Sequence, residues 1–165
     1  MKKIFYLLII LLSITIQSYA QCWRNSSVSF HTLALKSNGT LWAWGYNADG
    51  QLGDGSNIST NTPAQISAAT DWDTVVAGSR HSLALKTDGT LWAWGYNSNG
   101  QLGDGTNTDK NVPVQIGTNT DWTFIAEGGA SSFAIKTNGT LWAWGANFWG
   151  QLGDGTNSDK NIPVQ

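Results

Sequence analysis

Polar and apolar positions alternate through the second third of the chain. His81 to Lys86 reads HSLALK, with Leu83 and Leu85 on one parity; Thr90 to Trp94 reads TLWAW, with Thr90, Trp92 and Trp94 on one parity. Successive side chains of a strand point to opposite faces, so each run predicts a β-strand. Asp88-Gly89 lies between them. Such a pair suits the positive-φ positions of a type I′ turn, which predicts a β-hairpin. Trp72 to Val76 (WDTVV) is a short β-rich run before the hairpin, ending at Ala77-Gly78. Asn97 to Asn107 is a Gly- and Asn-rich loop after it, followed by an extended run, Val112 to Ile116 (VPVQI). Pro113 cannot donate to a ladder, so that run is expected to be an outermost strand. No stretch after residue 20 carries the apolar spacing of an amphipathic helix.

The pattern recurs with a period of 50 residues. Lys36 to Gln65, Lys86 to Gln115 and Lys136 to Gln165 align without an insertion, placing Trp42, Trp92 and Trp142 in register with each other. Gly50, Gly100 and Gly150 align likewise, as do Pro63, Pro113 and Pro163. A fixed period of this size signals a repeat architecture. A unit of three or four short strands cannot bury both faces of its sheet alone, so neighbouring units must pack face to face. The expected fold is therefore all-β: about three propeller blades of antiparallel strands, over residues 21–71, 72–121 and 122–165, with the repeated tryptophans between them. A parallel β-helix fits less well, because its coils lack the Asp-Gly hairpin.

The second repeat carries Val76, Gly78, His81-Ser82-Leu83-Ala84-Leu85, Asp88-Gly89, Trp94-Gly95, Asn97, Gly100-Gln101-Leu102-Gly103, Gly105 and Pro113. These residues resemble the regulator of chromosome condensation repeat family, over about residues 28–165. The resemblance implies a seven-bladed propeller with four-stranded blades. Seven blades at this period need about 350 residues, so the chain is expected to be truncated at its C-terminus and to leave a blade face uncovered. Uncovered faces and edges invite self-association. The first repeat lacks the glycine found at Gly78 and Gly128, and the histidine of His31 and His81 is Ser131 in the third.

The one long apolar run outside this pattern is Ile4 to Ile16, preceded by Lys2 and Lys3 and followed by Ser18-Tyr19-Ala20. It predicts a signal peptide over residues 1–20, cleaved after Ala20, because the run is too short to span a bilayer. The expected location is secreted, at the cell surface or in the periplasm, with no stable membrane span after cleavage. The single cysteine, Cys22, follows Gln21, whereas a lipid anchor needs a small residue there. Losing Lys2 and Lys3 takes the nine basic residues to seven, against eleven acidic. Nucleic-acid binding requires clustered Lys and Arg to neutralise phosphate, and no such cluster exists, so no nucleic-acid partner is expected.

Candidate chemistry is sparse. His31 and His81 sit beside the hydroxyls of Thr32 and Ser82. They read as base and nucleophile, or as blade-packing histidines that hydrogen-bond backbone; a triad needs a converging third group, and none recurs. Asn47, Asp49 and Asp54 superficially resemble a calcium loop, but Trp149 replaces the Asp49 position and no bidentate Glu follows. Gly103-Asp104-Gly105 lacks the Lys and Ser/Thr of a phosphate loop. No catalytic residue, metal or cofactor is expected. The third repeat breaks the pattern once: Ala146, Phe148 and Trp149 stand where the second has Tyr96, Ser98 and Asn99. Phe148 and Trp149 are the candidate binding surface, since exposed aromatics anchor interfaces. In the competing reading, Trp149 fills the space vacated at Ala146.

The function expected from these features is a secreted, non-catalytic scaffold for a protein or glycan partner. The family's eukaryotic founder implies a second reading, guanine-nucleotide exchange on a small GTPase. A third is an accessory module of a larger secreted hydrolase.

Overall fold

The computed structural model describes residues 22–165, so the predicted signal peptide and its cleavage site lie outside the described residues. Twelve strands form three four-stranded antiparallel sheets, with no helix among the described residues. The first sheet is β1 (Trp23–Val28), β2 (His31–Lys36), β3 (Leu41–Gly45) and β4 (Thr60–Gln65) in that order. The second is β5 (Trp72–Ala77), β6 (His81–Lys86), β7 (Leu91–Gly95) and β8 (Lys110–Gln115). The third is β9 (Trp122–Glu127), β10 (Ser131–Lys136), β11 (Leu141–Gly145) and β12 (Lys160–Val164). Each is one propeller blade. Strands β1, β5 and β9 lie side by side at the inner edge, while β2 faces β5 and β6 faces β9. Pro63, Pro113 and Pro163 fall in the outermost strands β4, β8 and β12, where no further ladder needs their missing N–H.

The hairpin within each blade differs from the predicted type I′ turn. Gly89 N–H donates to the Lys86 carbonyl at 2.9 Å, and Lys86 N–H to the Thr90 carbonyl at 3.1 Å. Gly89 has φ 78°, and among the described residues no non-glycine has positive φ. This is a three-residue loop, a type I turn closed by a glycine in the left-handed region. Type I′ needs positive φ at two central residues, whereas here only the glycine has it. The Asp88 side chain instead accepts from the Thr90 backbone at 3.0 Å and its hydroxyl at 2.7 Å, and so fixes the start of β7.

Alternation predicts strands with one buried face, but in β6 every residue from His81 to Leu85 is buried. The middle blade is sandwiched, so both parities meet protein. Leu33, Leu35, Leu41, Ala43 and Leu52 of the first blade pack on Trp72, Val75, Ala77, Ala84 and Trp94 of the second. Leu83, Leu85, Leu91, Leu102 and Ile116 of the second meet Trp122, Ile125, Ala134 and Trp144 of the third. The cores are thus junctions between blades.

Candidate functional site

The junction histidines bind neither the neighbouring residue nor backbone. His31 Nε2 lies 2.7 Å from Ser82 Oγ of the next blade, and His81 Nε2 lies 2.9 Å from Ser132 Oγ. Ser82 Oγ donates to the Gln51 carbonyl at 2.8 Å, and Ser132 Oγ to the Gln101 carbonyl at 2.7 Å. Each serine has a single proton and spends it on a carbonyl, so each histidine Nε2 must donate to its serine. Burial lowers both imidazoles from 6.5 to about 4, which keeps them neutral. A hydroxyl that receives a proton from its histidine is not being activated by it. These pairs pin blade to blade.

The Gly- and Asn-rich loop is folded around its own asparagine. Asn97 is fully buried. Its amide donates to Asp104 Oδ1 (3.2 Å) and to the carbonyls of Thr106 (3.0 Å) and Thr108 (3.2 Å), while its Oδ1 accepts from Leu102 N–H (2.9 Å). Asn47 and Asn147 repeat this arrangement on Asp54 and Asp154. The carboxylates considered for calcium are consumed here and at Asp49, and no metal-ligating cluster exists among the described residues. Asp154 is held well below its ordinary pKa, first by the Thr156 hydroxyl, then by the Thr156 backbone N–H. Sequence reasoning missed the buried asparagine, although its recurrence at 47, 97 and 147 was an available signal.

This frame presents two tip residues per blade. The first, at 48, 98 and 148, is exposed in every blade, whether or not another blade follows. The second borders the next blade. Asp49 is 8% exposed and takes a bidentate contact from Arg80 (2.8 and 2.6 Å), whose guanidinium lies 3.9 Å from the Tyr96 ring centroid. Asn99 Nδ2 donates to Asp159 Oδ2 at 2.9 Å.

In the third blade the tip pair is Phe148, 69% exposed, and Trp149, 82% exposed. Their rings meet edge to face at 4.7 Å. So exposed a ring does not fill the space over Ala146, and the packing reading of Trp149 is set aside. The backbone beneath is the common frame: Asn157 Nδ2 donates to the Phe148 carbonyl (3.0 Å) and Trp149 N–H to Gln151 Oε1 (2.9 Å). Apolar area is therefore displayed on a loop that loses little entropy on binding. Among the described residues, the exposed large apolar side chains outside the strands are Phe30, Tyr46, Ile58, Phe148 and Trp149. All five lie in β1–β2 turns or β3–β4-type loops, at one end of the blades.

The opposite end is closed by its own side chains. Lys86 Nζ lies 4.9 and 4.6 Å from the Trp72 and Trp92 ring centroids and 3.2 Å from Asp71. Lys136 repeats this with Trp122, Trp142 and Asp121. Cation and aromatic faces satisfy each other there.

Comparison with known proteins agrees with the geometry. A family model described as "Regulator of chromosome condensation (RCC1) repeat" matches residues 38–85, 88–135 and 138–165, and a second model of the same repeat matches 72–101. The first two matches run from β3 to β6 and from β7 to β10, so each of these two straddles a junction between blades. The ultraviolet-B receptor UVR8 of Arabidopsis thaliana is 42% identical over 45 residues, which is 27% of this chain and 10% of the receptor. Among solved structures, Prp20p of Saccharomyces cerevisiae is 22% identical with a TM-score of 0.79, over 86% of this chain and 37% of its own; its structure is described with its binding to Gsp1p and histones. Human WBSCR16 is 24% identical with a TM-score of 0.71, over 81% of this chain and 36% of its own. The chain thus spans little more than a third of these two structures, and the likeness to them carries the fold alone. With three repeats matched and three four-stranded blades in place, the chain belongs to the regulator of chromosome condensation repeat family.

Proposed function

We propose that the chain is part of a secreted, non-catalytic propeller scaffold that binds a protein partner through the blade end carrying Phe148 and Trp149. The observation that carries this is the Phe148 position. It is solvent-facing in all three blades, small or polar in two, and a large aromatic in the third. A rigid aromatic on a fixed loop, flanked by a second one, has the character of an interface anchor. The described binding of Prp20p to Gsp1p and histones supports a protein-binding role for such propellers. Export rests on the Ile4 to Ile16 run behind Lys2 and Lys3.

Two measurements test this. N-terminal sequencing of the protein from the medium or periplasm should begin at Gln21; retention in the cytosol with Met1 intact defeats the export claim. A photo-crosslinking residue at position 148 should give a discrete partner adduct that the same residue at Asn38, on the opposite end, does not. Equal yields at both positions defeat the binding surface.

A further inference from the structure

The two blade junctions differ beside the first tryptophan of the following blade. At the first junction Trp72 Nε1 donates to Ser67 Oγ at 3.1 Å, and Ile66, Ala69 and Trp92 pack against the core that holds Trp72. At the second junction the Ser67 and Ala69 positions are Gly117 and Asn119. Trp122 is 4% exposed, and its indole N–H is buried without a partner. Gly117 has φ 63°, whereas Ser67 has no positive φ, and a Cβ built on Gly117 meets nothing within 4 Å. The joining segment therefore takes a different path here, and no hydroxyl returns to the indole.

That path leaves a cleft of about 290 Å³. Trp122, Trp142, Ile162 and Pro163 line it, and so do Gln115 and Asn119. Its walls come only from blades two and three and the segment joining them, so it belongs to an internal junction. The first junction has a further blade beyond it, and no residue of that blade enters the core around Trp72. A blade added after the third is therefore not what fills this cleft.

The groups around the cleft select its ligand. A buried N–H without a partner costs free energy that an entering acceptor recovers. The first junction shows that a hydroxyl oxygen serves as that acceptor. Gln115 Nε2 donates to the Gly117 carbonyl at 3.3 Å, which leaves its Oε1 to accept, and the Asn119 amide has no partner among the described residues. The tryptophan rings, Ile162 and Pro163 offer apolar surface to C–H groups. Asp104, already bonded to Asn97 and Thr106, also lines the cleft, while no lysine or arginine does, and this disfavours an anion.

From these observations we infer that the cleft between blades two and three binds one sugar ring of a glycan. A ring hydroxyl accepts from the Trp122 N–H in the place that Ser67 Oγ takes at the first junction. Other hydroxyls meet Gln115 and Asn119, and a C–H face lies on the apolar wall. The volume is at the small end for ligand sites, which suits a single ring. Gly117, with open space around it, is where the wall gives to admit the hydroxyl.

Titration of the full chain with glucose, galactose, mannose and N-acetylglucosamine, each alone, tests it through the indole N–H resonances. At least one sugar should shift the Trp122 resonance to saturation with a Kd of about 1–10 mM, while that of Trp72 stays in place. The combined variant Gly117→Ser, Thr118→Ala and Asn119→Ala carries the sequence of the first junction and should abolish the response. Gln115→Ala, at an exposed position that leaves the junction core intact, should weaken binding about threefold or more. No shift with any of the four sugars, which leaves water as the only occupant, overturns the inference. So do equal shifts at Trp72 and Trp122, a response that survives the combined variant, or unchanged affinity in Gln115→Ala. Because Phe148 lies outside the cleft, failure here leaves the partner-binding test standing.

Discussion

The β3–β4 loop of blade one and the β11–β12 loop of blade three share one skeleton and differ at two side chains. Both wrap a buried asparagine, Asn47 or Asn147, and both tie the second tip residue to a glutamine, Gln51 or Gln151. In blade one the tips are Ala48 and Asp49, and the aspartate is spent on Arg80 of the next blade. In blade three they are Phe148 and Trp149, spent on nothing but each other among the described residues. Conformation is therefore carried by frame residues, and the tips are free to vary. A surface can change its chemistry here without changing the fold.

The sharpest way to break that separation is to damage the skeleton. Trp94→Ala empties a fully buried indole from the first junction and should cost about 3–5 kcal/mol, read from the denaturant midpoint. Asn97→Ala and Asn147→Ala each orphan the Leu102 or Leu152 N–H and several loop carbonyls, and should each cost about 3 kcal/mol. A large loss at Asn97 with none at Asn147 would show that the two loops are not one frame.

Acid should act next, and on both junctions together. The folded state keeps His31 and His81 neutral down to about 4, while the unfolded chain protonates them near 6.5. The unfolded state takes up the protons first, so this stability is complete above 6.5 and is lost as pH falls through about 4. The expected loss is a few kcal/mol in all, seen as a falling urea midpoint that His81→Gln reduces. A midpoint that stays flat across this window contradicts the neutral pairs.

The rim contributes less. Arg80→Ala removes a partly exposed guanidinium and should cost about 1 kcal/mol or less, with salt narrowing the difference. Smallest of all, Phe148→Ala should leave stability within about 0.5 kcal/mol while weakening affinity for the partner that the position-148 crosslink identifies. Installing the pair by Ser98→Phe and Asn99→Trp should be tolerated by the blade-two frame and extend the surface by one blade. A large loss of stability in either tip variant would mean that tips and frame are not separable.

Much of this was legible before any coordinates. The hairpin, the outermost proline strand and the blade repeat follow from alternation and periodicity, because strand faces and ladder donors are local properties. Phe148 and Trp149 were visible because they break an otherwise regular pattern. The turn type was not visible, since alternation locates a hairpin without saying how many residues its loop takes. The asparagines were hidden because a polar residue in a Gly-rich loop reads as solvated, and only the closed loop shows it buried.

The sequence by itself determined the repeat, the strands and their order within a blade, for each rests on contacts between residues close along the chain. Only the tertiary structure decided what the histidines do, because His31 and Ser82 are a full repeat apart and meet where two blades stack. It also decided which tip residue faces a neighbouring blade and which faces solvent. That is a matter of what packs alongside, and the spacing within one repeat does not encode it.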